Sequence, residues 1–306
     1  MTIIITDDDI ERHLSMRECI DAMGTAFADF SKGDAVNLPR ARYQARHRDP
    51  KQRYFANVHV GAVPSVGLAC VRAGSQIITP PTPENNRRIY ENPRPFNWGF
   101  VILFDIETAE PLALMHEYYL SGMRVGATSG LCVDQVAPKD VKTLGLFGTG
   151  KQAGSAFDAI NTVRDFERVI VYSPNPEHRE MFVTEKRKQW GDKVEVIMAD
   201  TPDAPVKGAD VICCCTTAME PVFDGNLLED GQLVVSIANS DSTNKKRTEV
   251  DEATYAKATN IIVNDWESVI DNDQTELLEP LDAGTIKRES IVELGDIIAG
   301  KETVKS

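Results

Sequence analysis

The sequence predicts an α/β protein in which a doubly wound parallel sheet is joined to a smaller α+β domain. Its 306 residues are enough for two domains with separate cores. Residues 37–111 alternate short β-rich runs with stretches rich in Pro, Asn and Arg, whereas strands and helices alternate from about residue 121. Buried strands spaced by helices are typical of a parallel sheet covered on both faces.

The first elements follow from local patterns. Residues 2–5 predict a short strand, and DDDIERHL predicts a helix capped by its aspartates. Residues 16–30 repeat apolar side chains at a 3.6-residue spacing, which predicts a second helix. The runs RYFANVHV, GLACVRAG and WGFVILFD predict strands of an antiparallel or mixed sheet.

The later elements have a regular order. Residues 121–136 predict a helix of small residues, near which we place the domain boundary. VKTLGLFG and ERVIVYS predict strands, each followed by a helix, KQAGSAFDAINTV and PEHREMFVTEKRKQW. Four short apolar runs, VEVIM, DVICCC, QLVVSIAN and NIIVND, predict further strands of the same parallel sheet.

Composition excludes several kinds of partner. A formal net charge of −14 repels nucleic acid and anionic membranes. The chain has no run of 18 apolar residues, and its first residues are acidic, so we expect a cytoplasmic protein. The six cysteines lack CxxC spacing and the five histidines are scattered, so we expect reduced thiols, surface or hydrogen-bonded histidines and no metal.

The stretch GLFGTGKQAG at residues 145–154 matches two phosphate-binding patterns. The first, GxxxxGK of nucleoside triphosphatases, requires a hydroxyl for Mg²⁺ at the position that Gln152 occupies. A Walker-B-like run ends at Asp265, but an amide at residue 152 disfavours this interpretation.

The second pattern is GxGxxA, in which two glycines form a tight turn that admits a pyrophosphate and a small third residue lets the helix pack on the strand. Gly148, Gly150 and Ala153 supply it, with Thr149 and Gln152 in the same turn. The turn follows a predicted strand, opens a helix and precedes a second strand, as in a Rossmann-type unit. The sequence therefore predicts a bound dinucleotide.

The sequence leaves open whether this cofactor is NAD or NADP. The acidic residue that usually binds the NAD ribose is absent from YSPNPEHR. Ser173 and Asn175 suit either a hydroxyl or a 2′-phosphate, and Arg179 either pairs with that phosphate or lies on the helix surface. Thr216, after the strand DVICCC, is expected to face the nicotinamide.

With these motifs the chain resembles the ornithine cyclodeaminase and mu-crystallin family. The matching segments are LPRAR, VRAGSQ, SGMRVGATSGL, LGLFGTGKQA, IANSDSTNKKRTEVD and ELGDIIAGK, in the family's order. The resemblance implies an NAD(P)-dependent homodimer that acts on a small α-amino or α-imino acid. It assigns substrate binding and oligomerisation to residues 1–122 and dinucleotide binding to residues 123–306. The chain ends sooner after ELGDIIAGK than the family pattern leads us to expect.

The candidate substrate site contains three arginines and an aspartate. Arginine binds a carboxylate through two parallel hydrogen bonds, and hydride transfer at a C–N bond also requires a group that handles a proton on nitrogen. By resemblance Arg42, Arg72 and Arg124 bind the substrate carboxylate, with Arg40 as an alternative register for Arg42. The catalytic residues are the carboxylate Asp241 and, besides its role in binding, Arg72. The family commonly has lysine where this chain has Arg72, which cannot act as an acid or base. Arg124 is expected at the start of its helix.

These residues support one leading hypothesis and two alternatives. The leading hypothesis is an NAD(P)H-dependent ketimine reductase or amino-acid dehydrogenase. Ornithine cyclodeamination with catalytic NAD needs the same residues, so the sequence does not separate the two. The departure at Arg72 and the early chain end favour a third, a non-enzymatic NADPH-dependent binding protein.

Overall fold

The computed structural model describes residues 2–82, 89–91, 98–238 and 247–304. In the first half of the chain, an eight-stranded sheet carries three helices on its surface. The elements, in chain order, are β1 (Ile3–Ile5), α1 (Asp7–His13), α2 (Met16–Lys32), β2 (Val36–Asn37), β3 (Ala41–Arg46), β4 (Arg53–Val63), β5 (Leu68–Thr79), β6 (Ile89–Tyr90), β7 (Trp98–Asp105), β8 (Pro111–His116) and α3 (Tyr118–Val136).

The sheet is mixed, as the sequence predicts. Its order is β1-β8-β7-β5-β4-β2, with β3 also on β4 and β6 on β5. β1 runs parallel to β8, and the other pairs are antiparallel. Helix α1 is capped by Thr6 rather than by an aspartate, although Asp9 completes the capping box.

The second half contains the doubly wound sheet. Its elements are β9 (Thr143–Phe147), α4 (Lys151–Val163), β10 (Arg168–Tyr172), α5 (Pro176–Trp190), β11 (Glu195–Met198), β12 (Val211–Cys214), β13 (Leu233–Ser236), α6 (Glu252–Lys257), β14 (Ile261–Val263), α7 (Trp266–Asp271), α8 (Thr275–Asp282), β15 (Ile291–Glu293) and α9 (Leu294–Ile298). Five strands pair in parallel in the order β11-β10-β9-β12-β13. This Rossmann-type order confirms the predicted fold class, and it reverses direction between β9 and β12, where ligands bind in such sheets.

Two features of this half differ from the sequence prediction. The segment NIIVND does not extend the parallel sheet, because β14 pairs with β15 in a separate two-stranded sheet. The connections from β11 to β12 and from β12 to β13 are turns with one short 3₁₀ helix at Gly225–Leu227 instead of α-helices. Proline and glycine are frequent in both connections, which explains why no long helix forms there.

Helix α3 lies between the two sheets and packs closely against α4. A Cβ added at Gly126 would lie 2.4 Å from the Ser155 carbonyl carbon, and one at Gly130 would lie 2.9 Å from the Ala159 carbonyl oxygen. Because Gly126 and Gly130 have no side chains, the backbones of α3 and α4 can approach each other closely.

The C-terminal helix α9 packs against the N-terminal helices. Leu294 is buried in one core with Ile10 and Ile20, and Ser31 donates a 2.6 Å hydrogen bond to Asp296. This part of residues 123–306 thus contacts the first half of the chain. Within the described ranges, no helix is both long enough and apolar enough to cross a membrane.

Candidate functional site

The glycine turn lies at the carboxyl end of β9, the central strand of the parallel sheet. Gly148 has φ +106°, and a Cβ there would lie 2.3 Å from the carbonyl oxygen of Cys215. Its N–H donates to the Tyr172 carbonyl at 2.8 Å. Only glycine fits this conformation and this approach, which holds the turn against the ends of β10 and β12.

The amino end of α4 is open beside this turn. Gly150 is the N-cap residue, no described side chain caps the helix, and a Cβ at Gly150 would meet no atom within 4 Å. Ala153 is fully buried where α4 packs on the sheet, and the buried Oε1 of Gln152 has no hydrogen-bond partner among the described residues. Uncapped N–H groups facing open space suit a phosphate.

The end of β10 is organised by a buried arginine. Arg179 is 8% exposed, donates from Nη1 to the Ser173 carbonyl at 2.8 Å and lies 5.2 Å from the Tyr172 ring. The alternative that Arg179 is a surface residue is therefore wrong. Asn175 caps α5 by accepting a 3.0 Å hydrogen bond from the His178 N–H.

Thr216 follows β12 directly beside the glycine turn, since its neighbour Cys215 contacts Gly148. Its N–H donates to the Glu249 carboxylate, and its hydroxyl accepts a 3.1 Å hydrogen bond from the Ala218 N–H. Gly148 and Thr216 therefore lie at the same carboxyl edge of the sheet, where the strand order reverses.

A second cluster of charged side chains begins on the larger sheet. Arg72 on β5 pairs in register with His59 on β4. Its guanidinium forms an ion pair with Glu117, which is 8% exposed and precedes α3. Arg72, at the position where the family resemblance leads us to expect lysine, is thus paired with a buried carboxylate.

Arg124 adds a half-buried cation to this cluster. It is the seventh residue of α3, nearly two turns in, so the prediction that it starts the helix is wrong. Its pKa is lowered to about 10, mainly because burial disfavours the charged form and secondly because of the nearby Arg72 charge, while Glu117 opposes the shift. Among the described residues, none accepts a hydrogen bond or ion pair from its guanidinium, which is therefore positioned to bind an anionic ligand.

His59 lies among the arginines of the cluster. Burial lowers its pKa to about 2, and four guanidinium groups contribute, those of Arg40, Arg72, Arg124 and Arg42. Its buried Nε2 has no hydrogen-bond partner among the described residues, which differs from the expectation of a surface or hydrogen-bonded histidine. Arg42 also donates to Asn272 Oδ1 at 3.0 Å, which ties β3 to the end of α7.

Lys151 connects this cluster to the glycine turn. Its Nζ donates to the Tyr118 carbonyl at 3.1 Å and lies 4.1 Å from the Tyr118 ring centre. Tyr118 follows Glu117, and Lys151 follows Gly150. The arginine cluster and the open end of α4 are therefore adjacent.

The structure brings together most, but not all, of the predicted residues. The charges of Arg42, Arg72 and Arg124 all act on His59, while Gly148, Gly150 and Thr216 lie at the edge of the parallel sheet. Asp241 lies outside the described residues. Sequence reasoning missed three shielded carboxylates: Glu117 and Glu276 stand in no recognised motif, and Glu249 stands in IANSDSTNKKRTEVD, where attention went to Asp241.

The parallel sheet and its glycine turn define a protein of the dinucleotide-binding, Rossmann-type class. The profile of the ornithine cyclodeaminase/mu-crystallin family matches residues 1–305. The chain belongs to this family.

Relatives of known activity match almost the whole chain. A Delta(1)-pyrroline-2-carboxylate reductase of Bacillus cereus is 30% identical over 303 residues, which are 98% of this chain and 86% of the relative. An iminosuccinate reductase of Paracoccus denitrificans is 25% identical, with 98% and 87% covered. The solved structure of Thermococcus litoralis Delta(1)-pyrroline-2-carboxylate reductase in complex with NADH and L-proline has a TM-score of 0.82 and 26% identity, with 99% and 88% covered.

Proposed function

We propose that this protein is an NAD(P)H-dependent oxidoreductase that acts on the C–N bond of a small α-imino or α-amino acid. The observation that carries the proposal is a half-buried cluster of arginines, in which Arg72 pairs with Glu117, beside the open amino end of α4. The names of the related reductases support it.

The residues at the glycine turn fit a dinucleotide. The space at Gly150 and the unpaired Oε1 of Gln152 suit a pyrophosphate at the amino end of α4. Thr149 belongs to the same turn, Thr216 would lie beside the nicotinamide, and Ser173 with Asn175 would meet the adenosine ribose. When bound, the cofactor supplies or accepts the hydride at the substrate Cα.

The arginine cluster supplies substrate binding in this proposal. Arg124 and Arg72 bind the carboxylate, and Arg42 adds positive charge from β3. Glu117, held beside both guanidinium groups, faces the substrate nitrogen and stabilises its protonated imine form, which accepts hydride more readily. Asp241 remains the proposed group that exchanges the proton on nitrogen.

The remaining expectations belong to the same proposal. Residues 1–122 would bind substrate and form a homodimer, and residues 123–306 would bind the dinucleotide. Exposed large apolar side chains are frequent on the first half and suit a subunit interface, including Ile3, Ile4, Val36, Leu38 and Tyr43. Six free thiols suit the reducing cytoplasm.

A cofactor assay tests the proposal. Purified protein is mixed with NADH or NADPH and either a cyclic imino acid or pyruvate with an amine, and absorbance at the reduced nicotinamide band is followed. We expect steady oxidation, and Asp241→Asn should lose most turnover while binding the cofactor. Proline formation from ornithine without net oxidation would identify a cyclodeaminase instead. Cofactor binding without turnover on any substrate would indicate a binding protein.

A further inference from the structure

A buried glutamate, Glu249, and a half-buried one, Glu276, meet at the carboxyl ends of β12 and β13. Glu249 is 1% exposed, and both of its oxygens accept hydrogen bonds. Oε1 accepts from the Thr216 N–H after β12, and Oε2 accepts from the Ile237 N–H after β13 at 3.0 Å. One carboxylate therefore fixes the start of two neighbouring loops.

Glu276 on α8 completes the arrangement from the other side. Its Oε2 accepts from the N–H groups of Glu249 and, at 3.2 Å, Val250. Its Oε1 lies 2.7 Å from the Ser236 hydroxyl, which also lies 2.9 Å from Oε2 of Glu249. Ser236 thus stands between the two carboxyl groups.

The two contacts of the Ser236 hydroxyl require more than one hydrogen atom. The Ser236 hydroxyl carries one hydrogen, yet it lies within hydrogen-bond distance of one oxygen from each glutamate. It donates to only one of them, so the other contact needs a proton on the carboxyl group itself. Two ionised carboxylates would leave one of these oxygen pairs without a hydrogen.

The partners of each oxygen indicate where this proton resides. Oε2 of Glu249 already accepts from Ile237, whereas Oε1 of Glu276 has Ser236 as its single hydrogen-bond partner within the described ranges, so a proton on Oε1 of Glu276 displaces no described hydrogen bond. Burial raises the pKa of Glu276 and the charge of Glu249 acts in the same direction, while the hydrogen bonds from Glu249, Ser236 and Val250 oppose this shift without reversing it. Among the described residues, the other titratable groups that interact with Glu276 are Cys214 on β12 and Tyr255 on α6, which are neutral acids.

We propose that Glu276 is a protonated carboxylic acid that donates to Ser236, that Ser236 donates to ionised Glu249, and that this chain of hydrogen bonds positions Thr216 after β12 and Ile237 after β13. Both residues lie at the edge of the sheet where the proposed function places the nicotinamide, and only this link to the nicotinamide rests on the proposed function. Glu249, Ser236 and Glu276 are positioning residues, since none of them is expected to touch the ligand.

Two isosteric variants test the proton assignment. In Glu276→Gln the amide N–H replaces the acid proton towards Ser236, and the amide oxygen still accepts from Glu249 and Val250. In Glu249→Gln an N–H must face a backbone N–H, because both oxygens are acceptors in the native protein. We expect NADH and NADPH to bind Glu276→Gln within about threefold of the wild-type Kd, and to bind Glu249→Gln at least tenfold more weakly, which corresponds to about 1.4 kcal/mol.

The dependence of stability on pH provides a second test that needs no cofactor. A carboxyl group with a raised native pKa binds more protons in the native state than in the unfolded state above the ordinary pKa of 4.5. As the pH increases from 4.5 to the native pKa of Glu276, the unfolding equilibrium constant of the wild type should therefore increase by up to about tenfold per pH unit relative to that of Glu276→Gln. Equal pH dependence of the two proteins in urea denaturation would overturn the assignment.

The outcomes separate this inference from the proposed function. If the wild type binds neither NADH nor NADPH, the proposed function fails while the stability test still decides the proton assignment. If Glu249→Gln does not fold whereas Glu276→Gln does, the assignment is supported, and Ser236→Ala then tests positioning. Ser236→Ala should fold and bind the cofactor several-fold more weakly with kcat reduced more than KM is changed. Unchanged Kd and kcat in that variant, or equal damage from both glutamine variants, would overturn the proposal.

Discussion

Arg72 and Glu117 form an ion pair that joins β5 of the larger sheet to the residue preceding α3. Both side chains are mostly shielded from water, with 21% and 10% of their side-chain surface exposed. A buried pair of this kind is costly to break, because removal of one partner leaves the other charge uncompensated. The pair is also placed where a substrate carboxylate would compete with Glu117 for Arg72.

Glu117→Gln should reduce kcat/KM by about tenfold to a hundredfold, because a charge-assisted contact contributes about 1.5–3 kcal/mol. The Kd for NAD(P)H should not change. Steady-state kinetics and fluorescence titration check both expectations. The double variant Arg72→Met with Glu117→Met is the control for stability, since an apolar pair of similar volume replaces a buried ion pair without great loss. It should fold and bind cofactor yet lack turnover; a fully active double variant would remove both residues from the site.

Arg124→Lys should keep the buried charge but lose the bidentate geometry for a carboxylate. We expect kcat/KM to fall by about thirtyfold or more, which corresponds to roughly 2 kcal/mol. The unfolding midpoint should change little. The matched control is Arg12→Lys at an exposed pair with Asp9, where no kinetic effect is expected. Similar kinetics for the two lysine variants would contradict a role for Arg124.

Two glycine substitutions in the cofactor turn should behave differently. Gly148→Ala forces a Cβ into φ +106° and against the Cys215 carbonyl, so we expect about 2 kcal/mol or more of lost stability. Gly150→Ala meets open space at φ −90° and should leave stability nearly unchanged. It should nevertheless weaken NAD(P)H binding at least tenfold if the pyrophosphate lies there. Calorimetric melting and ligand titration separate the two effects, and unaltered binding by Gly150→Ala would place the phosphates elsewhere.

Ser173→Asp should shift cofactor preference towards NADH by at least tenfold. A carboxylate at the end of β10 accepts hydrogen bonds from the ribose hydroxyls and repels a 2′-phosphate. The ratio of Kd values for NADH and NADPH measures the shift. Ser173→Ala is the neutral control and should leave this ratio nearly unchanged. If the aspartate leaves the ratio unchanged as well, Ser173 does not face the adenosine ribose.

His59 should remain neutral in the native protein throughout the physiological pH range. Its pKa is lowered to about 2, whereas histidine in the unfolded chain titrates near 6.5. The unfolded state therefore binds more protons than the native state below pH 6.5. As the pH decreases below this value, the free energy of unfolding decreases by up to about 1.4 kcal/mol per pH unit. Denaturation at pH 7.5, 6 and 5 should show a shallower decline for His59→Gln than for the wild type. Exposed His178→Gln is the control with no such change, and an NMR titration of His59 near pH 6 would contradict the prediction.

Much of the fold could be predicted because local patterns and tertiary structure agree. From residue 143 onward, short apolar strands alternate with helices, and this alternation predicts the parallel sheet. The glycine turn marks the first connection from a strand to a helix. The strand NIIVND was assigned to the wrong sheet, since a three-residue apolar strand carries no information about its partner. Helix α3 begins at Tyr118, three residues earlier than predicted, because its first turn contains two tyrosines and a leucine instead of the small residues on which the prediction rested.

The candidate site was predictable only in part. Arg72 and Arg124 stand in motifs, whereas Glu117 follows a histidine in a run that resembles any polar connection. Its burial arises from the pairing of β5 with β7 and the approach of Gly99, contacts between residues distant in sequence. The contact between Glu249 and Glu276 likewise joins residues distant in sequence, because the position of α8 brings them together.

The close contact of Gly126 with Ser155 joins α3 to α4 with no α3 side chain between them. Arg124 lies on α3 two residues before Gly126, and the glycine turn opens α4. Because protein interiors are close-packed, a contact of this kind resists deformation, and it sets the spacing between the proposed carboxylate-binding arginine and the proposed phosphate site.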